Sequence, residues 1–129
     1  MERNDDEGLP LPRTRKAPWS REEEDWHISS WDVTVGWDDL RDAVRAAVEQ
    51  LGLDDTYSAT ISVRVGDLWV GVVPLEPVSA AVYDAGLAYA SLRDRPSARR
   101  EAMIQRGEED YLEGAIEEIS IIWGVPRSR

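Results

Sequence analysis

The sequence predicts an α+β domain, in which an antiparallel sheet of three or four strands carries helices packed on one face. Two observations predict the strands: apolar and polar residues alternate in "WDVTVGW" (31–37), and again in "TISVRVGDLWVGVV" (60–73) around a central turn. A third observation predicts the helices, because apolar residues recur at helical spacing over 40–51 and 78–92. At 129 residues the chain is long enough for one such domain.

Residues 1–25 are predicted to form a flexible charged arm, and residues 26–129 the single α+β domain. The arm contains prolines and charges of both signs, with a basic run at 13–16 and an acidic run at 21–25, and no periodic apolar pattern. Such a segment buries too little apolar surface to offset the entropy lost on ordering. We therefore expect the arm to be dispensable for folding.

The first strand of the domain is predicted from the alternation that begins at residue 31. Trp26 lies on the opposite side of this alternation, so a bulge or bend is expected at 29–30 and Trp26 becomes a candidate surface residue. The residues that share the predicted core side are Trp31, Val33, Val35 and Trp37.

A helix is predicted to follow over 40–51. Asp38 or Asp39 can cap its N-terminus, and Gly52 suits its C-terminal end. Its apolar stripe consists of Leu40, Val44, Ala47, Val48 and Leu51.

The next two strands are predicted to form a β-hairpin around the two-residue turn Gly66-Asp67. Arg64 and Trp69 then share the outer face of the sheet, where a cation–π contact is expected, and Pro74 is expected to end the second strand. The predicted cross-strand pairs are Val65 with Leu68, Arg64 with Trp69, Val63 with Val70, and Ile61 with Val72.

The last third of the chain is predicted to be mainly helical. A helix beginning at Pro77 has a second apolar stripe at Tyr83, Leu87 and Ala90, and we favour its burial in the domain over an oligomer contact. Over 112–123 the apolar spacing favours a helix, whereas the alternation over 119–125 favours a strand. The strand alternative would give the order β-α-β-β-α-β, a ferredoxin-like arrangement.

Composition limits the classes of partner. The formal charge is −11, from 26 acidic and 15 basic residues, which disfavours direct binding to nucleic acid or to an anionic membrane surface. No cysteine is present and no apolar leader segment is apparent, so a cytoplasmic protein is expected. All bases but Lys16 are arginine and phenylalanine is absent, which is typical of a GC-rich genome and suggests a bacterial or phage origin.

Catalytic residues are hard to find, so a non-catalytic protein without a cofactor is expected. His27 is the only histidine, which excludes a metal site built from several histidines, and no phosphate-binding glycine motif is present. Glu109, Glu113 and Glu117 recur every four residues and are expected to share a helix face. Such a face suits steering of a basic partner, or alternatively a Mg²⁺ ion.

The sequence thus favours an acidic binding protein that inhibits or neutralises a basic partner protein, as toxin-immunity and anti-defence inhibitors do. The alternatives are a small Mg²⁺-dependent enzyme acting on a phosphorylated ligand, and an oligomeric scaffold subunit that self-associates through Tyr83 and Leu87. The predicted partner-binding residues are Glu109, Glu113, Glu117, Trp69, Arg64 and Trp26.

Overall fold

A computed structural model describes residues 9–20, 25–94 and 114–125, and within them the chain has an α+β fold. Five strands form one antiparallel sheet, and three α-helices accompany it. The strands are β1 (Arg13–Lys16), β2 (Trp26–Val35), β3 (Ser58–Val65), β4 (Leu68–Pro77) and β5 (Ile116–Gly124). The helices are α1 (Leu40–Leu51), α2 (Val78–Ala85) and α3 (Ala88–Asp94), and a 3₁₀ turn (Trp37–Asp39) precedes α1.

The strands lie in the order β1-β2-β5-β3-β4, and every neighbouring pair is antiparallel. The predicted α+β class is therefore confirmed, whereas the predicted number of three or four strands is too low for the described residues. After β1 the elements follow the order β-α-β-β-α-α-β, which resembles the predicted β-α-β-β-α-β with its second helix divided. The ferredoxin-like arrangement is nevertheless not matched, because the last strand, β5, inserts between β2 and β3.

Strand β1 belongs to the segment that was predicted to be a flexible arm. It pairs with β2, and the adjoining Ala17 is buried and donates its backbone N–H to the carbonyl of Trp26 (2.8 Å). The Thr14 hydroxyl lies 2.8 Å from the buried Ser29 hydroxyl. A short, charged strand is a common way to finish the edge of a sheet. The division of the chain into arm and domain remains a prediction, since residues 1–8 and 21–24 lie outside the described residues.

Strand β2 runs without interruption through the predicted bend at 29–30, so that prediction is wrong. It pairs with β5 in one register from Trp26 to Asp32, and the register shifts between Asp32 and Val35. The strand ends at Val35, and Trp37 lies in the 3₁₀ turn rather than in the strand. Its burial was nevertheless predicted correctly, because the turn directs the indole into the core, where it contacts the ring of Tyr89.

The core lies between the sheet and the helices. The residues that α1 buries there confirm its predicted apolar stripe. Trp31 is completely buried, and its indole N–H donates to Oε1 of Gln50 on α1 (2.7 Å). Gly52 ends α1 in the left-handed region (φ 72°), as predicted, whereas Asp39 occupies the N-cap position without a side-chain capping hydrogen bond. The buried residues of α1 are Leu40, Ala43, Val44, Ala47 and Val48.

The β3–β4 hairpin has the predicted turn and the first three predicted pairs, from Val65–Leu68 to Val63–Val70. The fourth prediction is wrong by one residue, because a register shift makes Val73 rather than Val72 the partner of Ile61. Strand β4 also continues past Pro74 to Pro77. It is an edge strand of the sheet, where a residue without a backbone N–H breaks no ladder.

The predicted helix over 77–92 is divided at Gly86 and Leu87 into α2 and α3. Tyr83 and Leu87 are 59% and 46% exposed, and Ala90 is exposed as well, so the second apolar stripe is not buried as we had favoured. Pro77 is the N-cap of α2 rather than its first residue.

The segment 119–125 is a strand over most of its length, because β5 extends from Ile116 to Gly124. The favoured helix is therefore wrong there, and the alternation of isoleucines was the better guide. Ile119 and Ile121 are fully buried, and β5 is hydrogen-bonded on both sides, to β2 and to β3. β-Branched residues suit such a central strand. Within the described ranges, none of the helices is long and apolar enough to cross a membrane.

Candidate functional site

A network of charged side chains lies at one end of the outer face of the sheet and connects β1, β2, β3 and β5. Glu118 is at its centre: its side chain is only 16% exposed and pairs with Arg13 (2.9 Å) and Arg64 (3.1 Å). Arg13 also pairs with Asp32 (3.0 Å), and Arg64 with Glu117 (3.1 Å). We call these five residues the outer-face network.

The outer-face network largely neutralises itself. The Asp32 carboxylate, by hydrogen bond and charge, raises the pKa of Arg13, and the hydrogen bond to Glu118 raises the pKa of Arg64. A further N–H of Arg64 donates to the carbonyl of Gly66 (2.8 Å). Carboxylates that are already held by two arginines are poor candidates for capturing an external cation.

The structure brings together only some of the residues predicted to bind a partner. Arg64 and Trp69 are opposite each other in the hairpin, Trp69 is 40% exposed, and Glu117 pairs with Arg64. Trp26 pairs with Gly124, which is six residues from Glu118 along β5. At the rise of a β-strand this separation is about 20 Å, so Trp26 lies far from the outer-face network. Trp26 is half-buried, and its ring covers Gly124 so closely that a Cβ there would lie 2.7 Å from the indole.

The predicted acidic helix face does not include Glu117, because Glu117 lies in β5. Glu109 and Glu113 lie outside the described residues, so their part of the prediction is untested. In the part of the chain that the structure describes, no group of three or more His, Asp or Glu side chains is arranged to hold a metal ion.

His27 takes part in an aromatic cluster at the opposite end of the sheet from Arg64. Its ring stacks on Trp123 (4.7 Å between centroids), and its Nε2 lies 3.6 Å from Oδ1 of Asp25. Tyr57 contacts the same indole edge-on, and the Trp123 N–H donates to the Ser29 hydroxyl (2.9 Å). These contacts give His27 a packing role.

A cleft of about 650 Å³ lies between β4 and the α2–α3 segment, and we call it the β4–α3 cleft. Its volume falls within the range of typical ligand sites. Its floor includes Thr60, whose hydroxyl donates to the carbonyl of Val73 (2.7 Å). The cleft is lined by Thr60, Gly71, Val72, Val73, Pro74, Asp84, Leu87, Ala88, Ser91 and Leu92.

A pair of carboxyl groups stands at this cleft. Asp84 lines it, and Glu76, two residues beyond Pro74, lies close enough for the two carboxyl groups to interact. Hydrogen bonding with Asp84, followed by partial burial and by repulsion from Asp84, raises the pKa of Glu76. Within the described residues, neither carboxylate forms an ion pair with a base.

Exposed apolar side chains lie next to both members of the carboxyl pair in the sequence. Leu75, next to Glu76, is 54% exposed, and Tyr83, next to Asp84, is exposed to a similar degree. The guanidinium of Arg41 lies over the Tyr83 ring, 5.2 Å from its centroid, and donates to the Tyr83 carbonyl (3.4 Å). Tyr83 is therefore held in place while much of its surface stays accessible.

Sequence reasoning missed both Glu76 and Asp84. They are eight residues apart on different elements, and only the packing of α2 back against β4 brings them together. The available signal was the apolar pair Tyr83 and Leu87, which the sequence analysis did identify. Comparisons of the chain with protein-family models, curated proteins and solved structures found no match.

Replacing Glu76 by glutamine is expected to maintain or slightly raise stability at neutral pH. Because the pKa of Glu76 is raised in the folded protein, folding favours the protonated form, and stability is lost as the pH rises above the ordinary value of 4.5 towards the raised one. Glu76→Gln removes this loss, so its unfolding free energy should depend less on pH in that range. Urea denaturation of both proteins between pH 4 and 7 measures the difference.

The control for that experiment is Glu49→Gln, which removes one exposed charge from α1, away from the carboxyl pair. A Glu76→Gln protein that is less stable than the parent at pH 7 would show that the Glu76–Asp84 contact stabilises the fold.

Proposed function

We propose that this chain is a non-catalytic acidic binding protein that inhibits or neutralises a basic partner protein. The observation that carries the proposal is the uneven distribution of charge compensation. Carboxylates on the outer face are held by Arg13 and Arg64, whereas most exposed or half-buried carboxylates around the helices have no ion pair with a described base. These helix-side carboxylates are Asp38, Asp39, Glu49, Asp54, Asp55, Glu76 and Asp84.

Unpaired carboxylates concentrated on the helix side produce an asymmetric electrostatic field, which favours a partner with a positive surface. Uncompensated charges on one side of a small protein attract and orient an oppositely charged partner during diffusion, and they raise its association rate. Of the helix-side acids, Asp54 and Asp55 are oriented by local hydrogen bonds: Asp54 accepts from Thr56 and Asp55 from the backbone of Ser79. Fixed carboxylates lose less entropy on pairing than mobile ones do.

Apolar contacts would supply the affinity that steering does not. Leu75, Tyr83 and Leu87 are exposed and lie within three residues of Glu76 or Asp84 in the sequence, and exposed aromatic and aliphatic anchors commonly dominate binding energies. Trp69, on the outer face, remains a predicted partner-binding residue, but it is not part of this helix-side surface. A partner that normally binds phosphates has the basic surface which this combination suits.

The proposal is tested by affinity capture from a lysate of the source cells. The full chain and a variant with Asp38→Asn, Glu49→Gln and Asp84→Asn are immobilised, and bound proteins are eluted with increasing salt. We expect the parent to retain a basic protein that elutes with salt and that the variant retains poorly, since screening weakens exposed charge pairs. Equal retention by both proteins, or retention of acidic proteins only, would contradict the proposal.

A second candidate function is the small Mg²⁺-dependent enzyme acting on a phosphorylated ligand, and the closeness of Glu76 to Asp84 supports it. Magnesium sites often use one or two protein carboxylates and complete their shell with water and phosphate. If this alternative holds, Mg²⁺ raises the melting temperature of the parent but not that of Asp84→Asn, and a phosphorylated ligand increases the difference. Equal melting temperatures with and without Mg²⁺ are expected from the binding proposal.

A further inference from the structure

We propose that the β4–α3 cleft is the docking groove for one arginine side chain of the basic partner, with apolar residues of the partner beside it. This inference rests on the proposed function, and it adds the place and the chemistry of recognition. The arginine would enter between β4 and α3, and its apolar neighbours would cover Leu75 and Leu87.

The shape and lining of the cleft suit a long, largely apolar side-chain stem. Val72, Val73 and Leu92 provide apolar walls, and the volume of about 650 Å³ is sufficient for more than one side chain. Arginine stems bury their methylene groups along apolar surface while the charged end reaches a polar one.

The charge at the cleft suits the guanidinium end. Asp84 is in the wall, and Glu76 lies close enough to interact with it, so two carboxyl groups are available at one point without a described base between them. A guanidinium can donate to both groups at once, because its N–H donors form a planar fork. Its positive charge would also remove the repulsion between the two carboxylates.

The edge of β4 favours insertion of a side chain over addition of a strand. Pro74 lies in the wall of the cleft, and Pro77 ends the strand, so two of the last four positions of β4 lack a backbone N–H. A partner strand could not form a regular ladder there. The register shift between Ile61 and Ser62 makes the β4 edge irregular as well.

The test uses the full chain, ¹⁵N-labelled, and three acetylated and amidated pentapeptides. The first peptide alternates leucine and arginine, the second replaces each arginine by the neutral isostere citrulline, and the third replaces it by glutamate. We expect the arginine peptide to shift the amide resonances of Gly71, Val73, Leu87 and Ser91, and the other two to have little effect. Asp84→Asn should weaken binding about tenfold, whereas Asp32→Asn, on the outer face, should not.

Three results would overturn the inference. Shifts confined to α1 would place the cation elsewhere on the acidic surface and leave the proposed function intact. Equal shifts with the citrulline peptide would show that the cleft does not recognise charge. Concentration-dependent shifts of the cleft resonances without any peptide would identify the occupant as a second copy of the chain, joined through Tyr83 and Leu87. Failure of the proposed function is judged separately, from the salt dependence of capture.

Discussion

Trp31→Ala should lower the free energy of unfolding by about 3–5 kcal/mol, the range for removal of a large buried aromatic side chain. Trp31 is fully buried between the sheet and α1, and its substitution would also leave Oε1 of Gln50 without its indole donor. The loss therefore combines a cavity with a broken hydrogen bond. Chemical denaturation monitored by far-UV circular dichroism gives the value without depending on the remaining tryptophans.

The matched control is Trp69→Ala, because Trp69 is also a strand tryptophan but is 40% exposed. Its cost should be smaller than that of Trp31→Ala, since 40% of the Trp69 surface already lies in water in the folded protein. Equal costs at the two positions would mean that the two faces of the sheet have been assigned incorrectly.

Deletion of residues 1–17 should lower the melting temperature by about 10 °C or more. The deletion removes β1, exposes the edge of β2, and removes the apolar contact of Leu9 with the core. It also removes the ion pairs that Arg13 forms with Asp32 and Glu118. An exposed β2 edge is a template for aggregation, so the truncated protein should also become less soluble.

The control deletion removes residues 1–8 only and leaves β1 in place. Differential scanning calorimetry should give this shorter deletion a melting temperature within a few degrees of the parent. If deletion of residues 1–17 is equally harmless, then β1 contributes little to stability, and the predicted dispensable arm extends at least to Ala17.

The sequence predicts local structure well where side chains on one element decide it. The stripe of α1, its end at Gly52 and the Gly66-Asp67 hairpin depend on near neighbours in the chain, and all three are confirmed. Burial of Trp31 and Trp37 was predicted correctly for the same reason. Strand β5 was predicted only as the alternative to a helix, because its isoleucine-rich sequence fits both a helical stripe and an alternating strand. Only its two neighbours in the sheet favour the strand.

The candidate site was less predictable, because it depends on residues that are far apart in the sequence. The outer-face network joins Arg13 to Glu118 across 105 residues, and its carboxylates come from strands that are not consecutive in the chain. Glu117 was therefore interpreted as part of an acidic helix, although its partner is Arg64. Strand β1 was missed because its four residues are polar and charged. They form a strand because they pair with β2.

The partner is proposed to bind the helix side of the protein. Association rates measured with the purified partner test this location most directly. Stopped-flow fluorescence would compare the parent with two variants at 20–500 mM NaCl (roughly a fivefold change in Debye length). One variant carries Asp38→Asn, Glu49→Gln and Asp84→Asn on the helix side. The other removes the same number of carboxylates from the outer face, with Asp32→Asn, Glu117→Gln and Glu118→Gln.

We predict that the helix-side variant associates about tenfold more slowly than the parent at low salt, and that its rate depends less on salt. The outer-face variant should keep a rate close to that of the parent, because its carboxylates are already paired with Arg13 and Arg64. A helix-side variant that associates as fast as the parent over the whole salt range would contradict the account.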